Sequence, residues 1–126
     1  MKQLPPYAEV LGIQRVEGTP GLLRMPWSKD LEGRPEFIHG GVISGLLELA
    51  CYEALGRELS EEERPKIKPI DVSVDFLRGG LMTETFASAR IVRVGGRVAN
   101  ATAEAWQDDR SKLIATARMH MLIDRR

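Results

Sequence analysis

One stretch limits what this chain can fold into more than any other. Residues 37–57 read Phe-Ile-His-Gly-Gly-Val-Ile-Ser-Gly-Leu-Leu-Glu-Leu-Ala-Cys-Tyr-Glu-Ala-Leu-Gly-Arg. The spacing predicts one long helix from about Gly41 to Leu55, reached through His39-Gly40-Gly41 and ended by Gly56. Val42, Ile43, Leu46, Leu47, Leu49, Ala50 and Ala54 share one broad arc at 100° per residue, too apolar to face water. Ser44, Glu48, Cys51 and Leu55 form a second stripe on nearly the opposite side. A helix apolar on both sides must be covered on both sides, and in so short a chain the second cover is expected from another subunit. Glu53 falls on the apolar arc; it is expected to reach outward to an arginine that the sequence does not identify.

Nearly all else has strand character. Residues 7–13 suit a short helix stopped by Gly12, and 13–18 and 21–27 two short strands joined by Thr19-Pro20-Gly21. Pro26 marks an edge or bulge. After the helix, Ser60-Glu61-Glu62-Glu63 resembles a capping box, but Pro65 follows at once, so a solvated acidic loop is expected. From Pro69 the period becomes two: Ile70, Val72, Val74 and Phe76 alternate with Asp71, Ser73 and Asp75. Gly79-Gly80 breaks the pattern. Residues 83–94 and 97–107 form two more strands around a Gly95-Gly96 hairpin, and 112–123 the last. Ala99, Ala101, Ala103 and Ala105 share one face, which lets the helix approach closely. The order is β-β-α-β-β-β-β, with the last four strands expected as a meander. The class is α+β, a single domain over residues 1–126, with the helix on the concave face of an antiparallel sheet.

Composition removes several function classes. The 18 basic and 18 acidic residues balance, so nothing favours nucleic acid or an anionic membrane. The single Cys51 excludes an internal disulfide and a cysteine metal cluster, and fits a cytoplasmic protein. Two histidines 81 positions apart give no metal site. No apolar run reaches the ~20 residues that span a bilayer, and Met-Lys-Gln-Leu-Pro-Pro does not suit a signal peptide.

His39-Gly40-Gly41, with Glu48 nine residues after the histidine and Ile70-Asp71-Val72-Ser73-Val74-Asp75-Phe76-Leu77-Arg78 as the next strand, resembles the PaaI-like acyl-CoA thioesterases. The resemblance runs from about Leu11 to Ile123. It implies the hotdog fold, a sheet wrapped around one long helix, and hydrolysis of an acyl-CoA thioester. CoA is then part of the substrate, and no cofactor is implied. Two positions depart from the family pattern. Gly33 stands where members often carry Asn, six residues before the histidine, and Pro69 where some carry a hydroxyl residue.

Physical chemistry gives these residues roles. Unpaired N–H groups and the positive dipole end of the helix face its mouth. A thioester carbonyl on the Gly40 N–H would be polarised. Glu48 would then serve as general base on water, or as nucleophile giving an anhydride. His39 is expected to hold the loop rather than carry a proton, and Gly41 to admit the substrate. Cys51, one turn past Glu48, packs or lines the site. Arg78 and Arg97 are candidates for the phosphates of CoA; Met25, Trp27, Met82 and Trp106 are candidate acyl contacts, though packing is the commoner role. His120 is assigned to the surface. Gly40 and Glu48 are about 12 Å apart along a helix, so one chain does not readily bring both to one carbonyl. Two antiparallel helices do, which predicts an obligate homodimer, able to pair into a homotetramer, with shared sites. Two other readings remain, an acyl-CoA-binding hotdog protein without turnover and a hotdog hydratase; the second calls for a different His and acid arrangement.

Overall fold

The computed structural model describes residues 3–59 and 66–125. A short helix α1, Pro6–Leu11, opens the fold and ends on Gly12, whose φ of 75° places it in the left-handed region that glycine adopts freely. Strands β1 (Gln14–Arg15) and β2 (Leu23–Met25) follow as a hairpin. A 3₁₀ turn, Lys29–Leu31, precedes the long helix α2, Gly40–Glu58. Then come β3 (Lys66–Phe76), β4 (Thr85–Val94), β5 (Val98–Trp106) and β6 (Ala115–Asp124). The acidic stretch Ser60–Glu63 lies outside the described residues.

All six strands form one antiparallel sheet in the order β1-β2-β4-β5-β6-β3. The expected four-strand meander is therefore only three strands long: β4-β5-β6. β3 pairs with β6 instead of β4, and β4 pairs with β2. The cause is the connection over residues 77–84. Gly79-Gly80 is not a tight turn but a point of close approach, where a Cβ on Gly79 would lie 2.6 Å from the Phe37 ring. The connection crosses the start of α2, where Ile38 N–H donates to Gly80 O at 2.9 Å. Gln107 pins it from below: its Oε1 accepts from Leu81 N–H at 3.0 Å, and its Nε2 donates to Leu81 O at 2.9 Å. Two bulges also break the simple alternation. The β3–β6 register shifts between Pro69 and Asp71, taking Ile70 out of phase with Val72. The β4–β5 register shifts between Ile91 and Arg93. The last strand begins at Ala115, later than the expected 112, and Ile114 is buried ahead of it.

The core lies between α2 and the sheet. Ala99, Ala101, Ala103 and Ala105 are at most 2% exposed. Their small side chains let Leu46, Leu47 and Ala50 lie fully buried in the same cluster as this face. Each leucine contributes roughly 2–3 kcal/mol of burial. The helix runs past Gly56 to Glu58, because Leu59, not the glycine, takes the capping hydrogen bond to Leu55 O. Cys51 and Leu55, expected to await another subunit, are fully buried within this one chain. α1 also packs on α2, where Tyr7 and Leu11 rest on the bare backbone of Gly45. Gly41, Ser44, Glu48 and Tyr52 form one narrow strip along α2 that stays half-covered or open, besides Gly40, Val42, Ala54 and the exposed last turn Gly56–Glu58.

Glu53 is 9% exposed and does find an arginine. Arg15 Nε and Nη2 donate to its two carboxylate oxygens at 2.5 and 3.0 Å. This paired hydrogen bonding, more than the charge itself, raises the Arg15 pKa. The pair ties β1 to the second half of α2.

Candidate active site

The site is built from the mouth of α2 and the strip that runs along it. His39 is the helix N-cap, with extended φ and ψ of −60° and 134°. Its Nδ1 accepts the Gly41 N–H at 2.9 Å, which places the ring proton of the neutral imidazole on Nε2. His39 thus holds the loop, and the Gly41 N–H is occupied in doing so. Its own N–H donates to Leu31 O at 2.8 Å. Gly40, at the first helical position, keeps an N–H with no intrahelical acceptor. Phe76 stands over it, its ring 3.4 Å from where a Gly40 Cβ would be. Around the mouth Phe76, Leu77, Leu81 and Met82 are 45–58% exposed, an apolar collar beside a polarising N–H. Arg34 stacks on Phe37 at 4.3 Å within the same loop.

Glu48 is half-buried, two turns along α2. Tyr52, one turn further, brings its hydroxyl to 3.4 Å from Glu48 Oε1. Burial first, and the Glu48 charge second, push the Tyr52 phenol up to about 12. The same two causes, in the same order, push the Cys51 thiol up to about 12. Cys51 is fully buried behind the acid and stays a thiol at ordinary pH, a packing group with little nucleophilic character.

The two arginines named as candidates for the CoA phosphates lie far apart within the chain. Arg78 follows the C-terminal end of β3, where its N–H donates to Ile114 O. There it lies on the mouth's side of the sheet, close enough to Asp109 to help the Ser111 hydroxyl and N–H, the larger causes, lower that carboxylate's pKa. Arg97 sits in the β4–β5 turn, where its carbonyl accepts from Ile123 N–H. These contacts fall at opposite ends of β6, about 30 Å apart along an extended strand. Only Arg78 shares the mouth's end within a protomer. Met25 and Trp106 are buried in the packing, whereas Met82 is exposed in the collar. His120 is exposed on β6, its Nδ1 2.7 Å from Asp71 Oδ1.

Tyr52 and Phe76 do not stand out in the sequence as site residues. Tyr52 carried a usable signal, four residues after Glu48 and so on the same helix face. Phe76 carried none, because its place over Gly40 depends on the β3–β6 pairing. Among the described residues, no three of His, Cys, Asp and Glu cluster as a metal site, and no helix is long and apolar enough to cross a membrane.

Comparison with known proteins gives concordant likenesses. The family model described as the thioesterase superfamily matches residues 36–114. A curated relative, the medium/long-chain acyl-CoA thioesterase YigI of Salmonella typhimurium, is 25% identical over 96 residues, 68% of this chain and 62% of that protein. The match therefore spans less than two-thirds of the relative's length. A solved thioesterase family protein from Silicibacter pomeroyi has a TM-score of 0.83 at 28% identity, covering 97% of this chain and 91% of its own. The BH2602 protein of Bacillus halodurans, solved with CoA, has a TM-score of 0.81 at 19% identity, covering 93% of this chain and 74% of its own.

Proposed function

This chain belongs to the thioesterase superfamily and has the hotdog fold, and we propose that it hydrolyses an acyl-CoA thioester at a site completed by a second copy of itself. The observation that carries the reading is the Gly40 N–H, without a hydrogen-bond acceptor among the described residues, at the mouth of a helix that holds one carboxylate, Glu48, on its open strip. The thioester carbonyl accepts from the Gly40 N–H. Glu48 takes a proton from water as the water oxygen bonds to the carbonyl carbon. The C–S bond then breaks, and the CoA sulfur leaves with the proton that Glu48 returns. The curated relative is named for medium- and long-chain acyl-CoA, and the apolar collar of Phe76, Leu77, Leu81 and Met82 suits an alkyl chain. Arg78 is the better placed of the two arginines for a phosphate of CoA.

The second copy is supported by two features. The strip of Gly41, Ser44, Glu48 and Tyr52 lacks a full cover. β3 is also an edge strand of 11 residues whose outer side has no partner among the described residues, and Ile70, Val72 and Phe76 on it are 40–55% exposed. Such an edge is a template for pairing. An antiparallel pair of α2 helices brings the mouth of one to the acid of the other. A homodimer is the minimal assembly, and pairing of dimers into a homotetramer is compatible with it.

The test is release of free thiol from a panel of acyl-CoAs. Glu48→Gln and Glu48→Ala are expected to lower kcat by about 10²–10⁴-fold. Binding without turnover in the wild type would favour a non-catalytic acyl-CoA-binding protein, and turnover that survives both changes would remove Glu48 from the mechanism.

A further inference from the structure

We infer that Tyr52 is a positioning residue that aims the Glu48 carboxylate, an inference that rests on the hydrolase reading above. Tyr52 lies one helical turn beyond Glu48 on the same open strip, with its hydroxyl 3.4 Å from Glu48 Oε1. That is long for an O–H···O bond, but such contacts tighten when substrate arrives. The direction of donation is fixed by chemistry: an ionised carboxylate can only accept, so the phenol donates. A phenol pushed up to about 12 keeps that proton at any pH where an esterase is assayed.

The geometry divides the two carboxylate oxygens. Oε1 faces the phenol, and among the described residues Oε2 has no hydrogen-bond partner, so Oε2 is the oxygen left to meet water. A half-buried glutamate still has several rotamers within reach, and each nonproductive one lowers the fraction of sites ready to react. Tyr52 acts through Glu48 and touches neither carbonyl nor thiol. Its hydroxyl therefore bears on kcat rather than on the binding of acyl-CoA.

The test is a double-mutant cycle in thiol-release kinetics. Tyr52→Phe keeps the ring and removes the hydroxyl. It is expected to lower kcat about tenfold, with KM and the thermal midpoint unchanged, as for loss of one hydrogen bond to a charged group. In a Glu48→Gln background the same change is expected to cost nothing further, because the group it positions is gone. Tyr52→Met, which also lacks a hydroxyl, must repeat both results, so the outcome does not hang on how one ring packs. A wild-type kcat in Tyr52→Phe, or an equal loss in both backgrounds, overturns the inference while leaving Glu48 in place. A wild-type rate in Glu48→Gln alone removes the hydrolase mechanism, and this inference with it.

Discussion

A side chain at position 33 would begin 2.7 Å from His39 Cα, against backbone that cannot swing aside. The Gly33 N–H also donates to Phe37 O at 2.9 Å, so this residue sits in a tight loop that delivers His39 to its capping position. The asparagine common in resembling thioesterases has no room here, and Gly33 is better read as a packing requirement than as a lost catalytic group. Gly33→Asn is expected to lower the thermal midpoint without raising thiol release, a result that melting curves and kinetics read together. Gly40 allows a cleaner experiment. Proline at the first helical position removes only an N–H that the helix does not use. His39 already has the extended backbone that a following proline requires, and the Phe76 ring at 3.4 Å is at ordinary contact distance from a new Cβ. Gly40→Pro should fold with a near wild-type melt and lose about 10²–10³-fold in kcat, the cost of one oxyanion donor.

At the level of elements, the legible parts were those set by local periodicity. The helix around Glu48, the alanine face of β5 and the stop at Gly12 follow from side-chain spacing and backbone freedom alone. The β3–β6 pairing and the two bulges do not, because they depend on which strand crosses the helix start, and Gly79-Gly80 looks the same as a turn or as a close approach. The site divided along the same line. The spacing of Glu48 from His39 and the loop-holding contact of His39 are local in sequence, whereas the separation of Arg78 from Arg97 depends on the strand order. The partner of Glu53 was also invisible, since Arg15 is 38 residues away. That pair makes its own prediction. The Glu53 side chain is only 8% exposed and that of Arg15 30%. Arg15→Ala leaves a buried carboxylate without its counter-ion and should destabilise the fold by roughly 2–3 kcal/mol, less than a fully buried pair because water reaches the arginine. Urea unfolding measures the loss. Leucine at 53 together with methionine at 15 should recover most of it, since both charges are then gone.

At the scale of the whole molecule, the proposed mechanism needs the mouth and the acid brought together. Within one α2 they are about 12 Å apart along the axis, and a glutamate side chain leaning toward the N-terminus closes only part of that gap. If each site takes its mouth from one chain and its acid from the other, two inactive variants can repair each other. Glu48→Ala keeps an intact mouth, and Gly40→Pro keeps an intact acid. A heterodimer of the two has one site with both lesions and one with neither. Random pairing of equal amounts makes half the dimers mixed, each with one working site of two, so about a quarter of wild-type activity should return. The experiment is to unfold the two variants together, refold them, and assay thiol release from the dimer fraction isolated by size, with each variant refolded alone as control. Sites contained within single chains would return nothing above the controls. The size of the recovery, and not only its presence, is informative, because activity well above a quarter would mean that mixed dimers form in preference to like pairs.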